Sequence, residues 1–134
     1  MKLLESQLLM QLYRDAAASE RLRTHYLLHA SHTEKVQRLL IAMVKGSYVE
    51  PHFHQFPHQW EMFTLISGVI RVCLYESNGD VLHELIINAQ DPLPLVEFLP
   101  NEIHSVECLS DYALLLEIKE GPFDARTSKS FLLL

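Results

Sequence analysis

The sequence predicts an all-β domain of the sandwich or jelly-roll kind behind one N-terminal helix, and three observations carry that expectation. From residue 36 to residue 118 the chain is a succession of short segments rich in β-branched and aromatic residues. Turn-forming clusters separate them at the spacing of about 8–12 residues that marks sandwiches and jelly rolls rather than parallel α/β sheets. Apolar residues fall at helical spacing only at the beginning of the chain.

The helix is expected over residues 4–13, where Leu4, Leu8, Leu9 and Leu12 share one face and Glu5, Gln7, Gln11 and Arg14 the other. A basic, histidine-bearing stretch follows, with Arg21, Arg23, His25 and His29, and then a polar connector, Ser31 to Lys35, that reads as a loop. The expected strands are 36–44, 60–66, 69–75, 81–87, 104–108 and 112–118, plus the segment that carries His52 and His54. Between them stand Lys45-Gly46-Ser47, Ser67-Gly68, Ser77-Asn78-Gly79-Asp80, Asp91-Pro92-Leu93-Pro94 and Leu99-Pro100-Asn101. Asn78-Gly79 is the strongest hairpin signal among these.

At 134 residues the chain suits a single domain. Its hydrophobic fraction of 49% and charged fraction of 21% are ordinary for a folded protein. With 11 basic against 17 acidic residues, a formal charge of −6, and no basic cluster, the composition argues against a nucleic-acid partner. Glu5, Gln7 and Gln11 interrupt the apolar core that a secretion signal needs, and no apolar run approaches the ~20 residues of a membrane span. Cys73 and Cys108 are too few for a disulfide framework, so the expectation is a cytoplasmic protein with both thiols reduced.

The chemistry concentrates around His52 and His54. Two residues apart on an extended segment, their imidazoles leave the same face while Phe53 points away. Glu61, at the start of the next strand, is the nearest carboxylate, and His104, on a later strand beyond the Pro100-Asn101 turn, would close the site. Imidazoles with a carboxylate suit one divalent transition metal, Fe, Mn, Zn or Ni, and three histidines with one carboxylate leave positions for water or substrate. His58, in the loop between His54 and Glu61, competes with Glu61 as fourth ligand. Arg21, Arg23, His25 and His29 are candidates for an anionic-ligand pocket over the barrel mouth, since guanidinium groups grip phosphate and carboxylate bidentately. Glu117 and Lys119 share one face of the last long strand, forming either an outside ion pair or a polar pair within a cavity.

Gly46, His52, His54, Glu61 and Gly68 resemble the first cupin motif, with six residues between His54 and Glu61 where that motif has three or four. Leu99 to His104 resembles the second motif, with Asn101 in the place of a glycine; asparagine is the next best residue at positive φ. The resemblance implies a cupin double-stranded β-helix, a jelly-roll barrel, over 36–134. Residues 1–35, the helix and the basic linker, are then packed on it within one domain.

The whole chain is similar to the cupin fold metalloproteins of the WbuC family. That likeness is carried by Arg21 to His29, Val36-Gln37-Arg38, Ser47 to His54, Glu117 to Phe123, Trp60-Glu61 and Lys129-Ser130-Phe131, with Leu27 where the family has an asparagine. It implies a place in O-antigen or surface-polysaccharide biosynthesis and a small-molecule ligand such as a sugar or nucleotide sugar. Two function classes stay open. One is an enzyme, an isomerase or epimerase acting on a sugar intermediate or an Fe-dependent oxygenase, and the other is a non-catalytic module whose metal is structural or ligand-binding. A homodimer is expected, because small cupins often bury a sheet edge or face against a second copy and the helix offers an apolar stripe.

Overall fold

The computed structural model describes residues 1–132. One helix, α1 (Ser6–Ala18), precedes ten strands: β1 (Arg23–Leu27), β2 (Val36–Val44), β3 (Tyr48–Phe53), β4 (Glu61–Ser67), β5 (Val69–Tyr75), β6 (Val81–Asn88), β7 (Leu95–Phe98), β8 (Ile103–Cys108), β9 (Tyr112–Glu120) and β10 (Ser130–Phe131). They form two antiparallel five-stranded sheets, ordered β1-β2-β9-β4-β7 and β10-β3-β8-β5-β6, which is the jelly roll expected from the sequence.

The inward faces of the two sheets meet in a core built on Met43, Phe63, Leu65, Ile70, Val72, Phe98, Val106 and Leu115. The outer face of the first sheet is covered by α1, where Leu12 and Ala16 pack on Leu40, Ala42 and Leu114, with Leu8, Leu9, Tyr13 and Leu116 at the margin. Strand β2 is therefore buried on both faces, which explains why its second half is a continuous apolar run instead of an alternating one. The helix stripe is spent on its own chain, so it does not offer a second copy the apolar surface that the sequence suggested.

The helix extends past the expected end at residue 13, through Asp15-Ala16-Ala17-Ala18. Alanine is the best helix former, and fully buried Ala16 has no side chain bulky enough to hold the helix away from the sheet. The basic stretch differs more. Residues 23–27 pair with β2 in antiparallel register, Arg23 opposite Met43, His25 opposite Ile41 and Leu27 opposite Leu39. The strand was hidden in the sequence because its inward side is polar, the reverse of the usual alternation. Strands β7 and β10 are four and two residues long, too short to carry a readable period.

Gly68, which closes the first motif, joins β4 to β5 at φ +93°, in the left-handed region. A Cβ there would lie 2.2 Å from the Tyr112 carbonyl oxygen, so both conformation and space require glycine. Asn101 has φ 71°, as expected for an asparagine in a glycine's place, and its backbone N–H donates to the His54 carbonyl at 2.7 Å. That bond ties the second motif directly to the first.

Candidate metal centre

His52 on β3 lies directly opposite His104 on β8, and their ring centroids are 4.4 Å apart. A bulge between Val49 and His52 includes Pro51, a residue with no N–H to give to the ladder. His54 follows just beyond β3, with its ring centroid 5.3 Å from that of His52. Glu61 opens β4 between Phe98 on β7 and Lys119 on β9. The six residues before it close on themselves: Phe56 N–H donates to Gln59 Oε1 at 3.0 Å, and Gln59 Nε2 donates to the Thr127 carbonyl at 2.7 Å. The longer loop thus delivers Glu61 to the expected place.

His52, His54, Glu61 and His104 each bring one ligand atom into a group whose members lie within 4.8 Å of one another. His58 is outside this group, stacked on Phe56 in the loop with ring centroids 6.2 Å apart. His52, Glu61 and His104 are buried, and His104 is only 1% exposed. Phe98 lies flat on the His104 ring, 3.7 Å between centroids and 7° between planes.

The second nitrogen of each histidine decides what the first can do. Nδ1 of His52 donates to the Glu50 carbonyl at 2.9 Å, Nδ1 of His104 to the Glu102 carbonyl at 2.9 Å, and Nδ1 of His54 to the Ser128 carbonyl. A carbonyl only accepts, so each Nδ1 carries the proton and each neutral ring turns a bare Nε2 lone pair inward. Those of His54 and His104 are buried without a hydrogen-bond partner of good geometry, yet they stand 3.0 and 3.4 Å from the two Glu61 oxygens. Lone pairs and a carboxylate facing one another repel unless positive charge lies between them.

The electrostatics report the same need. Glu61 is driven well below the usual carboxylate range, its burial being outweighed by His104 and His54. Burial lowers His54, but the Glu61 carboxylate more than offsets it and the ring is raised; burial and the neighbouring His104 take His52 down to about 4. Three imidazole nitrogens and a carboxylate, each imidazole oriented by a backbone carbonyl, form the donor set of a transition-metal site with its supporting shell. The residues fit a divalent ion.

The group opens into a cavity of about 460 Å³ between the sheets, within the usual range of small-molecule sites. Arg21, Arg23, His29, Glu117 and Lys119 all line it. The face of β9 left undecided by the sequence is the inward one. Glu117 is buried beside Glu61, and burial together with the Glu61 charge raises its carboxyl to about 8, although Lys119 Nζ is 3.6 Å away. His29 is buried; its Nδ1 lies 2.9 Å from the Arg38 carbonyl oxygen and 3.0 Å from the Arg38 backbone nitrogen, and its Nε2 has no protein partner.

His25, expected in an anion pocket with Arg21, Arg23 and His29, does line the cavity from β1 and is pushed to about 4 by burial and the surrounding Lys119, Arg23 and Lys129. Lys129 was given no site by sequence reasoning. The segment before β10 brings it to the same cavity, where it is lowered by burial and by the charges of Arg23 and Arg21. Nothing local in the sequence marked it.

Two antiparallel sheets in this order, with a three-histidine, one-carboxylate cluster on the inner face, give the chain the cupin fold. The solved structures agree on the fold. The capsular polysaccharide assembling protein CapF from Staphylococcus aureus superposes with a TM-score of 0.71 at 19% identity over 87% of this chain, which spans 33% of CapF. The DMSP lyase DddQ from Ruegeria pomeroyi gives 0.61 at 14% identity, covering 81% of this chain and 51% of the lyase. A cupin superfamily protein from Desulfitobacterium hafniense gives 0.56 at 13% identity, covering 73% and 76%. No curated protein sequence matches the chain. The family model described as a domain of unknown function, DUF6016, matches residues 4–87, and the chain belongs to that family.

Proposed function

We propose that this protein is a metal-dependent cupin that binds a small anionic molecule beside one divalent transition metal held by His52, His54, Glu61 and His104. The observation that carries the reading is the pairing of inward Nε2 lone pairs with a cluster of like charges over the same cavity. Arg21, Arg23, Lys119 and Lys129 are close enough to depress His25 together. Like charges gathered at one cavity mouth repel one another and attract an anion. A bound metal would supply Lewis acidity towards an oxygen of that anion or activate a water. Buried Glu117, its carboxyl raised by burial and by the Glu61 charge, is placed to carry a proton at the same place.

Isomerase- or epimerase-type chemistry, an Fe-dependent oxygenation and ligand binding without turnover all use this arrangement. The similarity to the WbuC family and the fold likeness to CapF support a role in surface-polysaccharide assembly. Membrane-spanning helices play no part in the described residues, since none there is long and apolar enough to cross a bilayer. A cytoplasmic setting belongs to the same proposal.

Replacing Arg21 and Arg23 with alanine should weaken binding of inorganic phosphate and of glucose 1-phosphate to the metal-loaded protein by about tenfold, as loss of two positive charges from the same cavity implies. Calorimetry measures it. Metal content should be unchanged, and a double variant that binds both anions like the wild type would sink the reading.

We also propose a homodimer formed through β6, an edge strand whose Leu82, Leu85 and Ile86 are exposed. Light scattering at micromolar concentration should give twice the chain mass, and Leu82→Lys with Ile86→Lys should give the monomer. A wild type that runs as a monomer removes this claim.

A further inference from the structure

The walls of the cavity say more about the ligand than its charged rim does. Register places inward side chains in rows across the first sheet. The outermost row runs from Gln37 through Lys119 to Glu61, and the next from Leu27 through Leu39 and Glu117 to Phe63. Below these come Ile41 and Leu115, and the facing sheet contributes Val49 and Val106. Polar groups therefore gather at the metal and along the β1 edge, while the wall that leads inward from them is aliphatic.

Gln37, the polar residue at the head of β2, is already engaged. Its Nε2 donates to the carbonyls of His32 and Glu34 at 3.1 and 2.9 Å, which holds the connector in place. Lys119 and Lys129 flank the metal ligands, where both lie within electrostatic reach of His54 or Glu61.

Resting on the metal-and-anion reading above, we infer that the ligand is an acid with an apolar body: its carboxylate or phosphate head lies beside the metal between Lys119 and Lys129, and its hydrocarbon body covers Leu27, Leu39, Ile41, Val49, Val106 and Leu115. A sugar ring carries a hydroxyl on most of its carbons. Laid over this wall, those hydroxyls would face methyl groups and lose the hydrogen bonds that water gave them. A hydrocarbon body loses nothing there and gains apolar burial. The unpartnered His29 Nε2 at the outer end of the wall marks the place where one polar group on the body finds a hydrogen-bond partner.

The test is calorimetry on the metal-loaded protein with four probes at equal ionic strength: acetate, octanoate, 3-phenylpropionate and glucuronate. Octanoate and 3-phenylpropionate should bind at least about tenfold more tightly than acetate and than glucuronate, since a single buried methylene already discriminates by about that factor. Leu27→Gln and Val49→Thr, at the edge and on the facing sheet, should each remove much of the octanoate advantage while leaving acetate binding and metal content as they were. Glucuronate binding as tightly as octanoate, or octanoate binding no better than acetate, overturns the apolar-body claim while leaving the metal-and-anion reading in place. If neither these acids nor inorganic phosphate bind the metal-loaded protein, both fall together.

Discussion

His52→Ala, His54→Ala, His104→Ala and Glu61→Ala should each lose most of the metal that the wild type binds, whereas His58→Ala should keep it. Each of the first four deletes one of the donors that converge within 4.8 Å, and loss of even a supporting partner at such sites costs about 10–100-fold in affinity. Deleting a donor itself costs at least as much. The sequence left Glu61 in competition with His58, because of the longer loop before it. Its position at the head of β4, with oxygens 3.0 and 3.4 Å from two imidazole nitrogens, puts its expected loss level with that of the histidines. Metal per chain, measured by mass spectrometry after dialysis against a weak chelator, tests the ordering. Retention by Glu61→Ala together with loss by His58→Ala would mean that the loop supplies the fourth donor.

Phe98→Ala should destabilise the metal-free protein by about 3–5 kcal/mol, the usual cost of emptying a buried phenylalanine site. Phe98 is 3% exposed, packs on Phe63 at 5.6 Å between centroids and lies flat against His104. Urea unfolding gives the stability change. A second variant, Phe98→Leu, separates packing from site geometry, since it refills much of the volume and should cost less than about 1.5 kcal/mol. It still removes the plane that fixes the His104 ring, so metal affinity should fall even though the fold survives. A loss below about 1 kcal/mol for Phe98→Ala would show that the ring is not part of the barrel's support.

Local chemistry made a large share of this legible. His52 and His54 were readable as a pair because period two places alternate residues on one face. Asn101 and Gly68 were readable because few residues accept positive φ. The six strands that carry an apolar face announced themselves through β-branched runs. Strand β1 did not, since Arg23 and His25 look into a charged cavity where a core residue would normally sit, and a rule built on buried apolar faces reads such a segment as a linker.

Sequence alone therefore determined the fold class, the inward side of the metal-site histidines and the glycine and asparagine turns, each of which is dictated by a residue's own backbone or by its near neighbours. Tertiary structure decided the rest: that Glu117 faces the cavity and not solvent, that the helix stripe is covered, and that Lys129 joins Arg21 and Arg23. The carbonyl of Ser128 orients His54 across 74 positions of chain. Such relations depend on which strands lie side by side, and strand order across two sheets is set by long-range pairing that leaves no periodic trace in either partner.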